Sequence, residues 1–489
     1  MLRIFHNNGG RKRGRLGARE RIALFFVLLV LLSGAWSVCE AVPCRMKITF
    51  AGHTNRVENL TNFPALVVFT NGMGGSDFSF TSNPFLSTNG WDLRFLDATE
   101  TTSLNYEIER WDTNAASFVW VQVPEILSNG TSYIWAKWGD SDNTNQLACT
   151  TNGTTWTNGF RSVYHFGETT GDARDSTPNG NTATNNNITY GAGWAGNSAL
   201  IDSETDFYRT PPVTNSVLSF SVWYYYSDLG SDGGWNTLFC TYGGTYHHLL
   251  IQDSIRNVGT YNAAFVSAPS VTLSLGSWYY LNATMNATTY NLYMNGSLIL
   301  TNATSFNNNT RNMSIINTYN GTMQQAAKGK LDEIRIEDVI RSPTWIWACW
   351  MNMGSNSAFQ SYANVERGVQ VQNLAASGVG TTNATLSGMV VGTGNAENPY
   401  VYICWGTNDF GVASTSAWPH VDYLGTNWGL GQSFSNTVFV LEPGVVHYYR
   451  CYATNSTGED WANSSETFGT LGVPLVTTEA ASGLSGSSA

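Results

Sequence analysis

Two carboxylates on alternate residues of a strand project from one face and can act together on a sugar. The run Leu331-Asp332-Glu333-Ile334-Arg335-Ile336-Glu337 offers such a set, with Glu333 and Glu337 flanking Arg335. Retaining glycoside hydrolysis needs two carboxyl groups about 5 Å apart across a cleft. Arg335 between the acids favours a solvated ion-pair cluster instead, and no catalytic residue is expected. Asp332 shares its face with Ile334 and Ile336, the face expected to enter the core. An inward carboxylate must be paired, hydrogen-bonded or metal-bound. Together with Asp175 it would supply hard oxygen ligands suited to calcium. The alternative is that both carboxylates accept backbone N–H groups and lock loops.

Other reactive residue types offer less. His247 and His248 are adjacent, so on a strand they face opposite ways and cannot chelate together. His165 falls in a strand and reads as structural. Asp140-Ser141-Asp142-Asn143 lacks the glycine and final glutamate of an EF-hand and reads as a turn. No His-Glu-x-x-His, Cys-x-x-Cys, P-loop or Gly-x-Ser-x-Gly motif is present. Trp223, Tyr225 and Trp235 lie near a Gly- and Asp-rich loop, where exposed rings would stack on a sugar. The alternative is that they pack inside the fold.

The elements that must position these residues are strands. Short alternating runs separated by Asn, Gly, Asp and Ser clusters repeat along the chain, as in sandwiches and barrels. The expected class is all-β, with tandem sandwich or jelly-roll modules at 44–145, 156–362 and 369–471. Asn295-Gly296 between two apolar runs predicts a hairpin. Thr344–Met351, rich in Trp, is the one expected helix. Residues 472–489, rich in Ser, Gly and Ala, read as a flexible tail.

Charged residues are only 12% of the chain and aromatics 13%. About a quarter is usual for charged groups, and disorder needs high net charge with few aromatics, so cores are expected. Seven basic residues precede Ile22 (Arg3, Arg11, Lys12, Arg13, Arg15, Arg19, Arg21). Without them and the acids Glu20 and Glu40, 24 − 7 = 17 basic residues face 35 − 2 = 33 acidic ones, a balance of −16. Such a surface repels phosphate backbones and argues against nucleic acid as a partner. The basic stretch and the apolar Ile22–Val38 read as an export signal cleaved near Ala41, or as an uncleaved anchor. Cleavage would leave six cysteines. A disulfide between Cys404 and Cys451 is the best single pairing, and buried thiols are the alternative.

Several blocks resemble known families. Trp91-Asp92-Leu93-Arg94-Phe95, Leu104-Asn105-Tyr106-Glu107-Ile108-Glu109-Arg110-Trp111 and Trp120-Val121-Gln122-Val123-Pro124 resemble the bacterial DUF2341 family. Arg341-Ser342-Pro343-Thr344-Trp345-Ile346, Asn352 and Phe359 match the usual continuation of such proteins. Val163-Tyr164-His165-Phe166-Gly167-Glu168, Asp175-Ser176-Thr177, Gly193-Trp194-Ala195-Gly196 and Leu331–Ile336 resemble a laminin-G-like, concanavalin A-like jelly roll. Tyr402-Ile403-Cys404-Trp405-Gly406 and Tyr448–Asn455 resemble a fibronectin type III-like sandwich. The combination implies an exported, non-enzymatic adhesion or glycan-binding protein. Recognition would lie in the jelly roll, with glycans or surface proteins as partners and calcium as a possible ligand. The alternatives are a structural spacer of the envelope and an accessory part of a polysaccharide-degrading system.

Overall fold

Cys44–Thr49 (β1) alternates buried and half-buried residues, so Met46 and Ile48 enter a core while Arg45 and Lys47 face outward. In the computed structural model, residues 43–479 are described except 141–142, 204, 228–233, 242–245, 303–312, 316–324 and 395–396. The leader expected at 1–41, the Gly- and Asp-rich loop at 228–233 and the tail from 480 lie outside the described residues. Among the described residues, no helix is long and apolar enough to cross a membrane.

The first module is a two-sheet sandwich. One sheet joins β1 to Tyr133–Trp138 (β6) and Arg94–Leu96 (β3). The other orders Leu60–Phe69 (β2), Ser117–Ile126 (β5) and Tyr106–Arg110 (β4). Pro64 can sit in β2 because β2 is an edge strand. That edge is covered by Pro343–Gly354 (α1), capped by Ser342 Oγ, which accepts from Trp345 N at 3.1 Å. Asn352 Oδ1 accepts from Leu66 N at 3.0 Å, while Asn356 Nδ2 and Gln360 Nε2 each donate to Leu66 O at 2.7 Å. Beyond α1, Tyr362 pairs with Ile48 and Arg367 with Cys44.

Residues 343–367 therefore complete the first module, and the middle module is an insertion between two parts of it. α1 buries Trp345, Ile346 and Met353 in one cluster with first-module residues and with Trp223, Tyr280 and Tyr293 of the middle module. The inserted domain packs one sheet, built around Gly329–Glu337, Leu218–Tyr226 and Ser277–Met285, against a second sheet running through Trp235–Thr241 and His247–Gln252. Phe220, Phe239, Ile251, Ile334 and Ile336 fill the space between. The expected Asn295-Gly296 hairpin is present, with both residues at positive φ (47° and 76°) as a type I′ turn requires.

Residues 369–469 form a further sandwich, with Val369–Ser377, Asn383–Thr393 and Ser433–Phe439 in one sheet and Tyr400–Gly406 and Val446–Asn455 central in the other. Here the pairing of Cys404 with Cys451 is corrected: both are thiols. In the ladder Cys451 lies opposite Ile403 and Cys404 opposite Arg450. Successive residues face opposite sides of a sheet, so the two sulfurs point away from each other. Alkylation of the denatured, unreduced protein is expected to label both cysteines. A reducing agent should not shift the unfolding midpoint, whereas a true cross-link would contribute about 2–4 kcal/mol.

Candidate functional site

Tyr106 and Ile108 of β4 turn to one side, and Glu107 and Glu109 turn to the other. That other side meets the inserted domain, so the two carboxylates lie at a seam between sheets rather than in water. From the opposing sheet come Glu333 and Arg335, and His165 follows Phe160–Tyr164 (β7), which pairs with Gly329–Glu337. Trp120 of β5 and Trp156 wall the seam. The His165 ring lies 5.8 Å from Trp120 and 5.3 Å from Trp156. The Arg335 guanidinium sits 4.4 Å above Trp120 and 5.0 Å from Trp156, a desolvated cation–π arrangement.

Glu333, Arg335 and Glu337 are all buried, at 0%, 1% and 2% exposure, which corrects the expectation of a solvated cluster. The physical reason is that the first module covers this face of the jelly roll. Glu333 also breaks the simple alternation. The register to Leu218–Tyr226 slips between Ser221↔Arg335 and Trp223↔Asp332, and Glu333 adopts a left-handed φ of 50°. A bulge of this kind re-aims side chains, and a left-handed glutamate costs of order 1 kcal/mol.

The contacts are specific. His165 Nδ1 lies 2.5 Å from Glu333 Oε1 and 3.7 Å from Glu109 Oε2, and its Nε2 lies 3.7 Å from Glu107 Oε2. Arg335 donates to Glu333 Oε2 at 2.9 Å. Glu107 accepts from Trp156 Nε1 at 2.6 Å, Ser176 Oγ at 2.8 Å and Arg174 at 3.3 Å. Glu109 Oε2 accepts from Trp120 Nε1 at 2.8 Å. Glu337 pairs with Arg341.

These surroundings sort the protons. Burial disfavours the charge on His165, but Glu333, Glu107 and Glu109 outweigh it and hold the imidazole protonated well above its usual range. Burial likewise opposes ionisation of Glu333, yet His165 and Arg335 keep it below the ordinary carboxylate range. Glu107 is lowered against its burial, chiefly by His165 and then by Trp156 and Ser176. Glu109 goes the other way: burial and the nearby Glu333 charge hold its proton. Neighbouring carboxyls with opposite protonation preferences are a pattern of functional sites, though ion-pair networks share it.

The seam opens to solvent through a cleft of about 360 Å³ lined by Glu107, Glu109, His165, Glu168, Asp172 and Arg174. A larger cavity of about 500 Å³ lies beside β1, but its cations are engaged. Arg45 pairs with Glu100 and Glu366, Lys137 pairs with Glu100, and Arg94 donates to four backbone carbonyls.

The residues singled out from sequence fall elsewhere. Asp332 Oδ2 accepts from Trp194 N at 2.7 Å and Ala195 N at 3.0 Å. Asp175 accepts from the backbone of Val163, Thr177 and Asn181 and from Thr177 Oγ1. The two share no hydrogen-bond partner and serve different loops. Trp223 is corrected as a sugar platform: it is 2% exposed, stacked on Trp194 at 4.0 Å and donating to Met353 Sδ. Tyr225 and Trp235 are half-buried in different sheets, against Trp278 at 5.4 Å and Phe265 at 4.9 Å respectively. Nothing in the sequence marks Glu107, Glu109, Trp120, Trp156 or Arg174 as site residues. Acids alternating with Tyr106 and Ile108 read as a wet strand face until a second sheet is laid on it.

No curated protein matches the chain significantly. Among solved structures, domain 4 of AbnA, a GH43 extracellular arabinanase from Geobacillus stearothermophilus in complex with arabinotriose, is similar at 18% identity and TM-score 0.32. That match covers 38% of this chain and 96% of that one. Trypanosoma rangeli sialidase with 2,3-difluorosialic acid is similar at 11% identity and TM-score 0.33, covering 41% of this chain and 34% of the sialidase. The chain thus spans about a third of the sialidase it matches. Two family models match within the chain, one for the domain of unknown function DUF2341 and one for the concanavalin A-like lectin/glucanases superfamily. Every residue lining the cleft falls within the first match, and Glu333 and Arg335 fall within the second. Residues 89–187 match the DUF2341 model and residues 202–347 match the concanavalin A-like model, and the charged seam draws its side chains from both matched stretches.

Proposed function

We propose that the chain is an exported carbohydrate-binding protein whose ligand enters the cleft at the seam. The supporting observation is the cleft's lining. Carboxylates and one partly exposed guanidinium surround an opening of about 360 Å³, over a charge network held rigid by two tryptophans. Sugar hydroxyls donate to carboxylates and accept from guanidinium groups, and rigid charged acceptors make the strongest such bonds. Recognition moves from the jelly-roll aromatics to the junction between the domains. Noncovalent binding fits better than turnover. Both Glu107 oxygens already hold donors, and the Glu109 side chain is only 2% exposed.

Arg174, with its side chain 59% exposed on the rim, can be removed without opening the core. In calorimetric titration of the full chain against a panel of soluble oligosaccharides, at least one should bind. Arg174→Ala together with Asp172→Asn should weaken that binding about 10-fold or more, the loss of one charge-assisted hydrogen bond. Binding to no oligosaccharide, or binding indifferent to both substitutions, would leave the seam a purely structural joint between modules.

A further inference from the structure

We propose that Glu109, His165 and Glu333 form a binding site for one divalent transition-metal ion of the zinc class, a site distinct from the glycan reading above. Three separate segments deliver the ligands: β4, the residue after β7, and the bulge in Gly329–Glu337. One donor atom from each lies within 4.8 Å of the other two. Tetrahedral zinc with ligands near 2.1 Å spaces its donors about 3.4 Å apart. The 3.7 Å from His165 Nδ1 to Glu109 Oε2 is close to that, and the 2.5 Å to Glu333 Oε1 needs to open by under an ångström.

Two further observations favour an ion here. Glu109 Oε1, on a carboxylate that supplies a ligand, is buried without a hydrogen-bond partner. Buried polar atoms without partners call for an explanation such as a missing ion. The surrounding shell is also already arranged. Trp120 Nε1 holds Glu109 Oε2, Arg335 holds Glu333 Oε2, and Glu107 stands 3.7 Å behind His165 Nε2. A carboxylate behind the far nitrogen of a ligating histidine is the usual outer-shell partner of such sites. The imidazole and the modest ligand number favour zinc, cobalt or manganese over calcium, which prefers six to eight oxygens. Glu109 and His165 also line the cleft, so the ion would keep an open position facing solvent.

The charge count agrees. Within the buried seam, ionised Glu107, Glu109 and Glu333 carry three negative charges against the single guanidinium of Arg335, with His165 neutral as a ligand. A dication replacing protons in the middle would complete the balance.

The test uses the full chain, stripped by chelator and titrated with Zn²⁺, and separately with Co²⁺ to read the visible absorption of the bound ion. One equivalent should bind with Kd below about 1 µM, and Co²⁺ should show bands of low-symmetry nitrogen–oxygen coordination. His165→Gln and Glu109→Gln should each weaken binding at least 100-fold, and Glu107→Gln about 10- to 100-fold as an outer-shell change. Glu109→Gln keeps shape and removes no buried cation, so it reports on the site even where His165→Gln disturbs folding. No stoichiometric binding by the wild type, binding unchanged by Glu109→Gln, or tighter binding of Ca²⁺ than Zn²⁺ would each overturn the proposal. Oligosaccharide titration of the same stripped protein reads the glycan reading separately.

Discussion

Arg335→Met is expected to destabilise the chain by about 3–5 kcal/mol, the usual cost of breaking a buried ion pair from one side. Arg335 is 1% exposed and its guanidinium is held between Glu333 and the faces of Trp120 and Trp156. Methionine fills much of the same volume but leaves Glu333 with His165 as its one remaining cation. The cost arises from a stranded charge rather than lost packing. Glu333→Gln in the same chain should therefore restore much of the loss, with a coupling of a few kcal/mol in a double-mutant cycle followed by urea unfolding. A loss under about 1 kcal/mol, or additive effects, would mean that water reaches the seam.

A chain truncated after Ile340 should fail to fold its first module. It would lose α1 and residues 361–367, which supply buried Trp345, Ile346, Met353, Phe359 and Tyr362 to that core. At about 1.5–3 kcal/mol for each buried large side chain, the loss is of order 10 kcal/mol, comparable with the whole stability of a domain. The edge of β2 would also be uncovered, because Asn352, Asn356 and Gln360 satisfy the Leu66 peptide groups. The expected result is aggregation, or a near-UV circular dichroism spectrum stripped of the first module's tryptophan signal. Co-expression of 341–368 as a separate segment should recover part of it. A soluble truncated chain with an unchanged spectrum would contradict the insertion.

Strands, the Asn295-Gly296 hairpin and the Trp-rich helix were legible in the sequence, since alternation, turn chemistry and a Ser-Pro helix start are local signals. What α1 packs against was not. A helix apolar on most sides reads as buried but does not say in which module, and its partner strand β2 lies nearly 300 residues earlier, as the Leu66–Asn352 separation of 286 shows. The site was half legible. Glu333 and Arg335 were identified as partners, but their burial depends on a sheet from another domain lying over them. The bulge at Glu333 has no sequence signal, because glutamate is not a residue that favours positive φ. His165 and the acids of β4 are some 55 residues apart or more and meet through tertiary packing alone.

The joint also has a pH signature with two limbs. Glu107 and Glu333 titrate below their ordinary 4.5, so the stability they contribute is present above that pH and is lost as pH falls through their folded values. His165 titrates above its ordinary 6.5, so its contribution is complete below 6.5 and is lost as pH rises through its folded value.

The buried, charge-compensated seam is tested most directly by the imidazole ¹⁵N spectrum of His165 in chelator-stripped full-length protein, assigned with His165→Gln. At pH 7.5 both ring nitrogens should be protonated, one of them in a short hydrogen bond to a carboxylate. A resonance that titrates near 6.5, as a solvated histidine does, would contradict a buried, charge-paired His165.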